Sequence, residues 1–274
     1  MKDKFLISIM GPTASGKTNL AIQLAKHFQT EIISADSRQF YKGLDIGTAK
    51  PSREELASVK HHFIDCLEVG NEYNAGKFED DALKTLDQIF EKNDFAVMVG
   101  GSGLYLNAVL FGIDPFPEIP RETRFKALNF YKEKGLQALR DELRSLDPIY
   151  FLEVDLDNPR RLMRALEVCY ASGKPYSSFR NQGPQPRNFQ AIKIAYQWDR
   201  KLLYDRIDMR VDHMIENGLI GEAQRYSTFK ESTALNTIGY KEIFEFLNGN
   251  LTKSEAIDLV KRNSRRYAKR QSTW

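Results

Sequence analysis

The chain has 274 residues, 42% hydrophobic and 28% charged, the balance of a globular protein long enough for one large domain or two smaller ones. With 40 Lys and Arg against 37 Asp and Glu, the net charge of +3 excludes a polycationic or acidic chain, so a nucleic-acid partner has to be met by a local patch. No apolar run reaches the ~18 residues of a membrane span, and Met1-Lys2-Asp3-Lys4 passes straight into a strand-like segment instead of a signal peptide, so no membrane association and a cytoplasmic location are expected.

Phe5 to Met10 is a predicted strand, followed at once by Gly11-Pro12-Thr13-Ala14-Ser15-Gly16-Lys17-Thr18, a full match to G-x-x-x-x-G-K-[ST]. Helical spacing over Lys17 to Phe28 completes the strand-loop-helix context that this motif needs. Glycines let consecutive amides curl inward and the helix N-terminus adds its positive end, so the loop is expected to bind a diphosphate. Lys17 supplies a point charge, and the Thr18 hydroxyl is the expected protein ligand of a phosphate-bridging Mg²⁺. The motif does not say which bond of the phosphate compound breaks.

Glu31 to Ser34 reads as a second strand, followed by Asp36 and Ser37. In a parallel α/β sheet, residues just after different strands converge at the carboxyl edge, so Asp36 would face a bound diphosphate and is the candidate general base. An N-cap or turn role for Asp36 is the alternative. His61 to Cys66 suggests a further short strand, Ala75 to Phe90 a helix, and Phe95 to Val99 a strand closed by Gly100-Gly101. That double glycine either exposes Ser102 to the cleft or is a plain tight turn.

From Asp114 the prolines at 115, 117 and 120 open a stretch of charged amphipathic helices such as Arg121 to Arg144, read as an insertion over residues 114–187. Residues 1–113 and 188–274 then form the α/β core. Ser172 to Asn188 marks the boundary, Phe189 to Gln197 alternates like a returning strand, and Tyr204 to Phe229 and Thr252 to Lys269 are helical. Lys261, Arg262, Arg265, Arg266, Lys269 and Arg270 form a basic stripe with no acid from Lys261 to Trp274. It fits an RNA backbone, with a solvated helix face as the alternative, and Arg265 and Lys269 are taken as its representatives. Cys66 and Cys169 show no disulfide or zinc spacing, and His27, His61, His62 and His213 show no ligand spacing.

Together, the phosphate loop, Ser34 to Tyr41, Asp45 to Pro51, Gly100 to Tyr105, Asn158 to Val168, Ile238 to Glu242 and Tyr267 to Gln271 resemble the tRNA dimethylallyltransferase family in order along nearly the whole chain. The resemblance implies a P-loop nucleotide-hydrolase-like core with a helical insertion, and transfer of a dimethylallyl group from its diphosphate to the exocyclic amine of the adenine 3′ of the tRNA anticodon. It implies the catalytic base at Asp36, a further catalytic residue at Ser102, and tRNA contacts at Asp36, Ser37, Arg38, Gln39 and Ser102. Further tRNA contacts fall at Arg124 and across Arg160, Arg161, Leu162, Met163 and Arg164. The family's pattern continues beyond Gln-x-Thr-Trp, where this sequence ends at Trp274.

On this reading the target base leaves its stack, the amine is positioned and deprotonated, and Lys17, the loop amides and Mg²⁺ stabilise the departing diphosphate. The partners expected are the anticodon stem-loop and dimethylallyl diphosphate, the protein acting as a monomer. Three competitors remain: an ATP-binding small-molecule kinase, an RNA-binding protein with a vestigial phosphate site, and a prenyltransferase of free adenine nucleotides.

Overall fold

The computed structural model describes residues 3–180 and 183–273; Met1, Lys2, Asn181, Gln182 and Trp274, the last from the Gln-x-Thr-Trp motif, lie outside the described residues. Met1–Gly112 with Pro186–Trp274 form one compact unit, and Ile113–Gln185 form another.

The first unit is α/β. Strands β1 (Phe5–Met10), β2 (Ile32–Ser34), β3 (His61–His62), β4 (Phe95–Val99) and β5 (Gln190–Ala195) make a five-stranded sheet in the order β3-β2-β4-β1-β5, with every pairing parallel. Period-2 alternation divides the sheet between two faces. Leu6, Ile33, Ala96 and Met98 join one apolar cluster, with Phe78, Ala82 and Leu86 of α3 (Ala75–Lys92) and Val109 of α4 (Gly103–Phe111). Ile7, Ile9, Ile32, Val97 and Val99 join another, with Ala21, Ile22 and Ala25 of α1 (Lys17–His27). Burial on both faces is the rule for parallel strands and explains the near-continuous apolar runs in β1 and β4. β5 lies at the sheet edge and is largely exposed.

Local chemistry moved several boundaries. β3 stops after His62 instead of running to Cys66, because Phe63 and Asp65 take positive φ (62° and 52°), which strand pairing does not accommodate. The helical stretch from Tyr204 breaks in two: α8 (Arg200–Glu216) begins at an Asp199 cap, and Gly218, at φ 98°, separates it from α9 (Leu219–Arg225). Three short helices lie outside the expected elements: α2 (Arg53–Ser58), the almost wholly apolar α4, and α10 (Tyr240–Leu247), whose Tyr240, Ile243 and Phe244 share one buried face. α11 runs from Lys253 to Gln271, opened by a Thr252/Glu255 capping box.

One buried carboxylate ties these helices to the loop after β2. Glu222 of α9, 1% exposed, accepts hydrogen bonds from the amides of Asp45, Ile46 and Gly47 at 2.8–2.9 Å and from the Tyr240 hydroxyl at 2.6 Å. Gly47 has no alternative there, since a Cβ would lie 2.5 Å from the Tyr240 ring.

The second unit is helical. α5 (Arg121–Leu146) breaks at Gly135 (φ 76°), and its second half packs with α6 (Pro148–Glu153) and α7 (Pro159–Ser172) through Leu139, Leu143, Tyr150, Leu162, Ala165 and Leu166. Asp147, fully buried, accepts from the Tyr150 amide and from the amide and hydroxyl of Ser177, which closes this small core.

Candidate active site

The carboxyl ends of β1, β2 and β4 carry the phosphate loop, Asp36-Ser37 and Gly100-Gly101-Ser102 on one edge of the sheet. Gly100 is dictated by that convergence: a Cβ would lie 2.3 Å from the Ala35 carbonyl oxygen, so only glycine lets the β2 and β4 ends meet. Ser102 Oγ accepts a hydrogen bond from the Ser37 amide at 3.1 Å and donates to Ser37 Oγ at 3.2 Å. The double glycine is therefore more than a turn, because it brings Ser102 against the residue next to Asp36.

The phosphate loop is held by its carbonyls. Lys17 Nζ donates to Pro12 O at 2.5 Å, Arg206 Nε to Ala14 O at 2.9 Å and Trp198 Nε1 to Ser15 O at 3.1 Å. Arg206 also lies over the Trp198 ring at 4.8 Å. With three carbonyls engaged and positive φ at Gly11, Ala14 and Gly16, the loop is shaped as a concavity for an anion. Gly16 caps α1 without a side-chain hydrogen bond, which leaves the helix amides to a ligand, and the buried Ser15 Oγ has no partner.

Lys17, Asp36 and Arg210 are electrostatically coupled. Burial brings the Lys17 ammonium down to about 8, opposed by Asp36 and reinforced by Arg210. Burial pushes the Asp36 carboxyl up from its ordinary value, against the pull of the Arg38 amide, which donates to Oδ1 at 3.0 Å, and of the cations Lys17, Arg38 and Arg210. A carboxyl raised in this way beside an anion site is a better proton acceptor than an ordinary carboxylate. Arg210 Nη1 donates to Thr13 Oγ1 at 3.0 Å and also lines a neighbouring cavity of about 700 Å³, with Asp45, Lys50, Arg53 and His213.

Trp198, Arg206, Arg210 and Gln271 are site residues that the motif reading missed. Arg206 and Arg210 stand four apart on a helix, which in sequence looks no different from a solvated face, and Trp198 and Gln271 are some 180 and 260 positions from the loop they touch. Gln271, at the end of a recognised motif, was the one signal available.

The expected RNA contacts separate into groups. Arg38 donates a hydrogen bond to the Thr233 carbonyl, and Gln39 donates to Thr48 O and Ala49 O, both at 3.2 Å, so both side chains are engaged within the protein. Arg124, Arg160 and Arg161 are exposed at the starts of α5 and α7. Leu162 is corrected: it is 0% exposed in the core of the second unit, with Met163 packed beside it, because the helical period that puts Arg160 and Arg161 outside turns Leu162 inside. Arg164 pairs with Glu167 at 3.3 Å and lies 5.8 Å from the Phe116 ring centroid. In α11 two cations of the stripe are neutralised from another helix, for Arg265 contacts both oxygens of Asp208 at 2.5 and 2.6 Å and Lys261 pairs with Asp212 at 2.6 Å. Arg265 is thus committed to α8, while Arg262, Arg266, Lys269 and Arg270 are exposed.

The IPP transferase family model matches residues 39–274. The chain belongs to the IPP transferase family. Among relatives, it is 51% identical over 270 residues to a tRNA dimethylallyltransferase of Christiangramia forsetii, covering 98% of this chain and 89% of the relative. It is 49% identical to one of Flavobacterium psychrophilum, covering 98% and 90%. Among solved structures, the full-length tRNA isopentenylpyrophosphate transferase of Bacillus halodurans aligns with a TM-score of 0.71 at 40% identity, over 100% of this chain and 86% of that one. A eukaryotic dimethylallyltransferase acting on tRNA aligns at 0.85 with 28% identity, over 99% and 70%. Family members are prenyl-transferring enzymes.

The carbonyl engagement is testable without the reaction. Trp198→Phe removes the donor to Ser15 O, with part of the ring beneath Arg206, and should weaken inorganic diphosphate binding about fivefold, about 1 kcal/mol, by titration calorimetry. Unchanged affinity would mean that the loop keeps its shape without this bond.

Proposed function

We propose that the chain transfers the dimethylallyl group of dimethylallyl diphosphate to the exocyclic amine of the adenine 3′ of the tRNA anticodon, releasing diphosphate. The observation that carries this reading is the meeting of an anion-shaped loop with Asp36 and Ser102 on one sheet edge, in a chain whose family prenylates tRNA. The strand-loop-helix at Gly11 to Thr18, set in a wholly parallel sheet, supports a P-loop nucleotide-hydrolase-like assignment of the core. A tRNA substrate supports a cytoplasmic site of action. The kinase alternative finds no support among the relatives described, which are prenyltransferases.

The adenine amine is a weak nucleophile because its lone pair is delocalised into the ring, so proximity and proton removal are what the protein has to supply. The amine nitrogen attacks the allylic carbon, the carbon–oxygen bond breaks with its electron pair going to diphosphate, and the amine proton passes to the Asp36 carboxylate. Lys17 and the loop amides face the charge that grows on the leaving group, and Arg210 adds a second cation there. Ser102, bound to Ser37, holds the Asp36 segment in place.

Among the described residues, no group of three or more His, Cys, Asp or Glu side chains is arranged to hold a metal ion. The Thr18 hydroxyl, in the first turn of α1 beside the phosphate loop, is the protein group that would hold Mg²⁺, an ion that retains several waters and takes one or two protein ligands plus phosphate oxygens. When bound it would neutralise charge on the diphosphate.

Arg124, Arg160, Arg161, Arg262, Arg266, Lys269 and Arg270 are the exposed cations assigned to the tRNA backbone. Leu162 contributes only by anchoring its helix, and Arg265 by tying α11 to α8.

Incubating the protein with unmodified tRNA and dimethylallyl diphosphate, followed by nucleoside mass analysis, should show one prenylated adenosine. Asp36→Asn should slow its formation roughly a hundredfold or more with tRNA affinity retained. Turnover within about threefold of the parent would remove Asp36 from the base role.

For the basic stripe, tRNA affinity measured at several salt concentrations should fall as counterions are released. Arg266→Gln with Lys269→Gln should flatten the log-log slope by about 0.7–0.9 per lost contact. Arg265→Gln should change the slope less and thermal stability more. Equal slopes for the parent and the Arg266/Lys269 double variant would leave the stripe a solvated face.

A further inference from the structure

Gln271, the last residue of α11, is 8% exposed and makes two hydrogen bonds that leave its own helix. Its Oε1 accepts from the Thr13 amide of the phosphate loop at 2.8 Å, and its Nε2 donates to the Gly101 carbonyl at 2.8 Å. Tyr267, one turn earlier, directs its hydroxyl at the same carbonyl, at 3.4 Å. One amide group therefore spans the two loops that, on the functional reading above, hold the leaving group and the base.

The fit is tight on the glycine side. A Cβ on Gly101 would lie 2.3 Å from Gln271 Nε2 with no other atom nearer than 3.6 Å, and Gly101 is not among the positive-φ residues. What a Cβ there would cost is this contact and not a strained backbone conformation, since it would push the Gln271 amide aside. An amide is also the side chain the geometry asks for, because one end must accept from an N–H while the other donates to a carbonyl. A carboxylate would set two oxygens against each other at Gly101, and an aliphatic chain would leave the Thr13 amide unpartnered and the Gly101 carbonyl with only the longer Tyr267 contact.

We infer that Gln271 is a positioning residue that sets the spacing between the phosphate loop and the Gly101-Ser102 turn, and through Ser102 and Ser37 the distance from the leaving group to Asp36. In-line displacement depends steeply on that distance: a misplacement of about 1 Å can cost about a hundredfold in rate.

The test is a double-mutant cycle of Gln271→Ala and Gly101→Ala, read as single-turnover prenyl transfer at saturating substrates. Gln271→Ala should lower the rate about tenfold or more with tRNA affinity unchanged. Gly101→Ala should lower it comparably in the parent but add little where Gln271 is already Ala, because the colliding amide is gone. Gln271→Met, which keeps the volume, should behave like Gln271→Ala, and urea midpoints identify any variant that has lost its fold. Full additivity, or a loss of stability with an unchanged transfer rate, overturns the inference. The same cycle read as inorganic diphosphate affinity does not depend on the transfer chemistry. Non-additivity there with no transfer in the parent would keep the clamp and reject the proposed reaction.

Discussion

A loop can turn its amides toward an anion only if its carbonyl oxygens are satisfied elsewhere, and the rest of this site depends on that constraint. Pro12 O, Ala14 O and Ser15 O are taken by Lys17, Arg206 and Trp198, and the Thr13 amide is taken by Gln271. Left without partners, those carbonyls would be unsatisfied polar groups on a loop whose shape they help to fix. Three of the four side chains come from residues after 197, so the C-terminal part of the first unit completes a motif that looks self-contained in sequence. Lys17 spans both roles: in this structure it satisfies the loop, and with an anion present it has a better partner.

The two features of α11 belong together. Its inner face places Tyr267 and Gln271 against Gly101, its flank is bonded to α8 through Arg265–Asp208 and Lys261–Asp212, and its outer face shows Arg262, Arg266, Lys269 and Arg270. Arg210 and Arg206 on α8 then reach the loop. A pair of helices thus joins the phosphate loop to the exposed cations of α11. Glu222 makes an equivalent tie on the other side, fastening the 45–47 amides beneath α9 and α10.

What could be read in the sequence was whatever rests on local rules. The strands around the loop, the loop itself and the positions of Asp36 and Gly100 follow from alternation, glycine placement and the edge rule for parallel sheets. Long-range contacts were not readable. The acids that neutralise Arg265 and Lys261 lie some fifty residues upstream, so the absence of acids within the stripe itself did not predict free cations. Leu162 was carried into the RNA-contacting group by its place in a motif, although its helical phase points it into the core. Gly101 looked like turn chemistry, and only the position of Gln271 shows that it answers a close approach.

The central claim is that one sheet edge presents a carboxylate as base and a cation at the leaving group. The pH dependence of kcat/KM for prenyl transfer to tRNA tests it most directly, since that quantity reports the free enzyme's groups. Asp36 must be ionised and Lys17 protonated. The rate should therefore rise through an acid limb lying above the usual carboxylate range and fall through an alkaline limb near pH 8. Asp36→Asn should abolish the acid limb and leave the alkaline one. An acid limb that survives unchanged in Asp36→Asn would contradict the account.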